Sequence, residues 1–144
     1  MINPLRDIEA SLLRFASEFA SDYNLQALNL DAHATPTNWP EGAFIGMSDL
    51  IVDFEENEIS ATVAFVISTV DDINLYEMSL LTNHLVNKVM VGSRIKVYDA
   101  EAGTPKGHLI SHRKVRAGSV LNTEVQPARP VFVNLISDLM LTRS

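Results

Sequence analysis

Apolar residues recur near the start of the chain at steps of three and four: Leu5, Ile8, Leu12, Phe15 and Phe19. Arg6, Glu9, Arg14 and Glu18 fall mainly off that stripe. This is the period of an amphipathic helix with one buried face. Asn3-Pro4 supplies a capping side chain and then a proline at the first helical position. The pattern predicts a helix from Pro4 to Ala20, ending near Asp22 to Asn24. Residues 25–42 carry Asn29, Pro36, Asn38, Pro40 and Gly42 and read as a surface loop pinned by Trp39.

The period then changes to two. Leu50, Val52 and Phe54 alternate within an apolar run from Phe44 to Phe54, and Ile59, Ala61, Val63, Phe65 and Ile67 alternate strictly. Glu55-Glu56-Asn57-Glu58 between them is a polar turn, so the pair reads as an antiparallel hairpin. The second strand becomes apolar on both faces near Ala64 to Val66, as a central strand covered on both sides does. Helical spacing returns with Leu75, Met78, Leu81, Leu85 and Val89. Asp71 or Asp72 caps that helix, Glu77 supports its first turn and Gly92 stops it. Three strand-like pieces follow: Arg94 to Tyr98, Gly107 to Arg116, and Val131 to Leu141. Glu101 to Pro105 forms a turn, and Ala117 to Ala128, with Gly118 and Pro127, is an exposed excursion. The sum is a single α+β domain over 1–144, with two amphipathic helices packed on a mainly antiparallel β-sheet.

Composition narrows the function. At 144 residues and 47% hydrophobic the chain fits one globular core. It has no cysteine, which removes disulfides, thiolate metal sites and cysteine nucleophiles, and suits a reducing compartment. The opening Met1 to Asp7 has no basic segment followed by an apolar block, and the longest apolar run, Val63 to Ile67, is far short of a membrane span. A cytoplasmic protein with no membrane contact is therefore expected. Net charge is −7, but it is split. Residues 1–77 hold fourteen acids against Arg6 and Arg14, a net −12, while residues 78–144 hold nine bases and four acids, a net +5.

Catalytic motifs are not evident. His108 and His112 lie four apart on a predicted strand and could share a face, but no further ligand sits near them in sequence. His84 falls on the second helix, where a half-buried packing role is the ordinary one. Asp71-Asp72 reads as a helix cap before it reads as a paired carboxylate. Gly103-Thr104-Pro105-Lys106-Gly107 reads as a turn, because its spacing is wrong for a phosphate cradle and the proline removes an amide donor. No nucleophile elbow, Walker-type loop or dinucleotide fingerprint is present. The expectation is a non-enzymatic protein without metal or cofactor.

The basic stretch is the feature with functional content. Lys106, Arg113, Lys114 and Arg116 lie close together, with Arg94, Lys96 and Arg129 on neighbouring predicted strands. A solvated sheet face accounts for them without any function. Alternatively they meet phosphate, through backbone attraction only, because no aromatic residue interleaves them between 99 and 131. Or they meet the acidic half of a second copy, with Glu55, Glu56 and Glu58 as the acidic partners. Such a heterologous contact closes into a ring when the rotation allows.

The order of elements, with a first helix from Pro4 to Ala20, a long hairpin from Phe44 to Val70, a helix from Ile73 to Met90 and a late strand containing Ala128-Arg129-Pro130-Val131-Phe132-Val133-Asn134-Leu135, resembles the tail terminator and related neck proteins of tailed bacteriophages. The resemblance covers nearly the whole chain and rests on order and length, since that family has no short signature. It implies a homohexameric ring in the virion, assembled in the host cytoplasm, that caps the tail tube and stops its polymerisation. Its partners would be the tail tube protein, the head-side connector and, in a contractile tail, the sheath. DNA would pass through the lumen without sequence specificity, and a basic lining from Lys106, Arg113, Lys114 or Arg116 would be consistent with that. The alternative is a small nucleic-acid-binding or other head–tail adaptor module using the basic 106–116 segment.

Overall fold

The structure is a computed structural model and describes residues 4–32, 41–122 and 126–137. It is a mixed α+β fold with two helices and a mostly antiparallel sheet. Helix α1 spans Pro4–Tyr23 and is followed by strand β1, Gln26–Asn29, and a short 3-10 turn, Leu30–Ala32. Strands β2 (Phe44–Phe54) and β3 (Ile59–Ser68) form the hairpin. Helix α2, Tyr76–Val89, precedes β4 (Arg94–Tyr98), β5 (Pro105–Ala117), β6 (Leu121–Asn122) and β7 (Pro127–Ser137). The strand order is β1-β2-β3-β7-β5-β4, with β6 paired to β7. Among the described strands only β1 and β2 run parallel to each other as neighbours.

Alternation along the strands sorts the side chains. Ile45 and Met47 of β2, Ile59, Ala61, Val63, Phe65 and Ile67 of β3, Val131, Val133 and Leu135 of β7, Leu109 of β5 and Ile95 and Val97 of β4 share one core cluster. Ile8, Leu12, Ala16 and Phe19 of α1 and Met78, Leu81, Leu85 and Val89 of α2 belong to the same cluster. These are the stripes seen in the sequence, except that Leu5 and Phe54 are exposed. On the opposite face a small second cluster of Leu30, Phe44, Val66 and Ala128 covers one end of β2, β3 and β7. Leu30 lies so close to Gly46 that a Cβ there would sit 2.5 Å from the leucine side chain. That position, near the start of β2, therefore leaves no room for a side chain unless Leu30 moves.

Helix α1 ends where expected. Asn24 takes the left-handed conformation and the Leu25 amide donates to the Ala20 carbonyl. Several boundaries differ from expectation. Residues 26–29 are a strand, not loop: they pair in parallel with Phe44–Met47 of β2, a long-range partner that local pattern does not reveal. Helix α2 begins at Tyr76, because Asn74 and Leu75 both take positive φ and break the helix from the turn at Ile73–Leu75. Leu75 thus precedes the helix instead of lying on its stripe. Strand β5 extends beyond the expected segment at both ends, and β7 begins at Pro127. The excursion at 117–128 contains β6. Trp39 and the expected continuation of the last strand from 138 to 141 lie outside the described residues.

Asp72 caps α2 from a distance. Its carboxylate accepts the Glu77 and Met78 amides at 2.9 and 2.8 Å and the Thr69 hydroxyl at 2.9 Å. Burial pushes this carboxyl up, but the three donors outweigh burial and hold it below the ordinary carboxylate value. A depressed folded-state value stabilises above the unfolded value and loses that contribution as pH falls through the folded one. Replacing Asp72 with alanine is expected to cost about 1 kcal/mol at neutral pH. In urea titrations followed by circular dichroism, the gap from the native chain should shrink as pH falls below the ordinary carboxylate range.

Candidate functional site

Helix α1 is fastened along β4 by polar groups. The Ser11 hydroxyl accepts the Tyr98 amide at 2.9 Å, and the Asp7 carboxylate accepts the Ala100 amide at 2.9 Å and binds the Lys106 ammonium. Arg6 reaches Glu101, and the Arg14 guanidinium sits 3.7 Å from the centre of the Tyr98 ring. Asp7 is only 3% exposed, so this is a buried pair and not a surface one. Lys106 therefore differs from the exposed basic residues: its ammonium is paired with Asp7 of α1, and 17% of its side chain is exposed.

The remaining basic residues separate by register. Arg94 and Lys96 of β4 stand opposite Ile110 and His108 of β5, on the face away from the helices. Arg116 pairs with Phe132 on that same face. Lys114 follows the same alternation, and both are exposed. Arg113 is exposed at an irregularity between Ser111 and Val115, with φ of +67°. Arg129 is half-buried opposite Ile67 of the core face, with its Nε buried and no hydrogen-bond partner among the described residues. Arg94, Lys96, Lys114 and Arg116 thus share a face, Arg113 lies at its margin, and Lys106 and Arg129 do not join them.

The acidic residues lie at the other end of the sheet. Glu55 and Glu56 are exposed and Glu58 is half-buried in the β2–β3 turn, which is closed by reciprocal backbone bonds between Glu55 and Glu58. Asp53, beside them on β2, is also exposed. No ion pair among the described residues reaches Asp53, Glu55, Glu56, Arg94 or Lys96. Part of the charge asymmetry is, however, neutralised within the chain. Asp7–Lys106 and Asp22–Lys88 each join an acid of the first half to a base of the second.

Between α1 and β4 runs a groove of about 340 Å³ lined by Arg14, Phe15, Glu18, Arg94, Ile95, Lys96 and Tyr98 among others. It follows the side of β4 that no strand covers. Sequence reading did not find it, since it arises from packing residues 11–18 against residues 94–98.

The other candidates have structural placements. The His84 ring stacks on Tyr23 at 4.9 Å and 20°, joining the end of α1 to α2. His108 and His112 share the outer face by alternation, and no group of three metal-ligating side chains occurs among the described residues. Asp71 is exposed in a left-handed conformation, apart from the cap that Asp72 forms. Asp99 closes the β4–β5 turn: the Ala102 and Glu101 amides, each at 2.9 Å, hold its carboxyl below the ordinary value. No helix among the described residues is long and apolar enough to cross a membrane. No protein-family model and no curated protein matches the chain.

Proposed function

We propose that this chain is a structural, non-enzymatic protein of the phage tail neck, acting as a homo-oligomeric ring of six that caps the tail tube and joins it to the head-side connector. The observation that carries the reading is the position of charge on one sheet. Uncompensated acids occupy its β2 end, uncompensated bases occupy its β4 end, and the face between them away from the helices carries Lys114 and Arg116. Opposite charge at opposite ends suits a head-to-tail contact, which closes into a ring when the rotation allows. The basic face would line the channel and accompany DNA by phosphate attraction without reading bases. Tail tube protein and, in a contractile tail, sheath protein would meet the two rims of the ring.

Negative-stain imaging with native mass spectrometry tests this. Closed rings of one stoichiometry are expected for the purified chain or for the chain mixed with tail tubes. A monomer under both conditions overturns the reading. A monomer that binds duplex DNA, with affinity falling steeply as salt rises, would replace it with the adaptor alternative.

A further inference from the structure

Among the described residues, both ends of the sheet have open stretches of edge. Strand β1 covers β2 only from Phe44 to Met47, and the Asp31 carboxylate takes the Asp49 and Leu50 amides. From Ile51 onward no strand among the described residues neighbours the outer edge of β2. The reciprocal bonds at Glu55 and Glu58 fix the alternation, so Val52 and Phe54 turn their backbone groups away from β3. At the far end, Ser111 bonds Ser93, which leaves Arg94 and Lys96 with backbone groups turned away from β5. Further along, the Tyr98 amide is taken by Ser11.

These edges match. Four antiparallel steps separate β2 from β4, so both strands run in the same direction. Asp53 pairs with Ser60, Ser60 with Ile136, Ile136 with Ile110, and Ile110 with Arg94. Asp53 and Arg94 therefore stand at the two ends of one row. We propose that the open edge of β2 in one copy, Ile51 to Glu55, adds in parallel to the open edge of β4 in the next, with Asp53 beside Arg94 and Glu55 beside Lys96. The occupant of the β4 groove is a second copy of this chain, and the inference rests on the ring reading above.

Backbone geometry supports the parallel arrangement. In a parallel ladder a residue facing its neighbour stands level with one facing away and bonds to the residues on either side of it. Arg94 would donate to the Val52 carbonyl and accept the Phe54 amide, and Lys96 would donate to the Phe54 carbonyl. Parallel addition also keeps every helix layer on the same side, as a rotation axis along the strands requires. Antiparallel addition would put neighbouring helices on opposite sides. On the helix side Phe54, 56% exposed, would lie beside Ile95 over the groove that contains Phe15. Main-chain bonds would supply affinity and the two charge pairs would set the register.

The test uses charge reversal and crosslinking. One variant carries Asp53→Lys and Glu55→Lys, and a second carries Arg94→Asp and Lys96→Glu. Each alone is expected to remain monomeric in native mass spectrometry, with an unchanged circular dichroism spectrum. An equimolar mixture is expected to regain assembly, because each variant then offers the edge that the other lacks. The chain has no native cysteine, so Asp53→Cys with Arg94→Cys gives a clean crosslink. Within one copy these positions are four strand spacings apart, about 19 Å, far beyond disulfide reach. Oxidation should therefore yield a ladder of linked multimers. Rings that persist in both variants and do not crosslink overturn this contact and leave the ring reading standing. Loss of assembly without rescue on mixing also overturns it. Crosslinked filaments in place of rings support the contact and overturn the closed ring, whereas a native chain that never assembles overturns both.

Discussion

Replacing Lys106 with methionine is expected to destabilise the fold by about 3–5 kcal/mol, because it leaves the Asp7 carboxylate buried with no opposite charge. The lysine binds that carboxylate from β5, and among the described residues the carboxylate's other partner is the Ala100 amide. Native domains are stable by about 5–15 kcal/mol, so the loss is large against the whole. The pair itself is a different matter: two charges removed together relieve two desolvation costs. Asp7→Leu with Lys106→Met is therefore expected to recover most of the lost stability, less the lost amide bond to Ala100. Urea denaturation of the native chain, both single variants and the double variant measures the coupling. If Lys106→Met alone costs less than about 1 kcal/mol, solvent reaches the carboxylate and the pair is not buried in solution.

Phe65→Ala is expected to cost about 3–5 kcal/mol by removing a large side chain and leaving a cavity. Phe65 is 0% exposed on β3, which lies between β2 and β7, and its ring meets Phe15 of α1 at 5.3 Å. The cavity would open where helix and sheet meet, so relaxation from either side is limited. Ile51→Ala, at a side chain 59% exposed on the open end of β2, should stay within about 0.5 kcal/mol. A midpoint of urea unfolding for each variant separates the two environments. Comparable losses at both positions would mean that Ile51 is covered in solution.

The helical stripes of α1 and α2 and the β2–β3 alternation were legible because each repeats a single period over many residues. Strand β1 was not, since Gln26-Ala27-Leu28-Asn29 is short and owes its conformation to a parallel partner far along the chain. The start of β7 was hidden by Pro130, a residue that argues against a central strand. It is tolerated there because the last paired residue of β5, Ala117, stands opposite Val131, while Pro130 only accepts, through its carbonyl, the Gly118 amide. Most of the candidate surface could be read as charge. Its division could not: nothing around Lys106 in sequence signals an acid 99 positions earlier, whereas Arg94 and Lys96 sort outward by simple alternation. The Asp53 row was invisible for the same reason, because it depends on four registers at once.

The fastening of α1 has a consequence for how the chain matures during synthesis. Its polar anchors, Ser11 and Asp7, find their partners at Tyr98, Ala100 and Lys106, roughly 90 residues downstream. The apolar face of this helix can meet β1, β2 and Phe65 of β3 early, but its polar anchors must wait until β4 and β5 have been made. Contacts this distant in sequence slow folding and prolong exposure to aggregation. A nascent chain halted before residue 98 should consequently be bound by chaperones that a completed chain has already escaped.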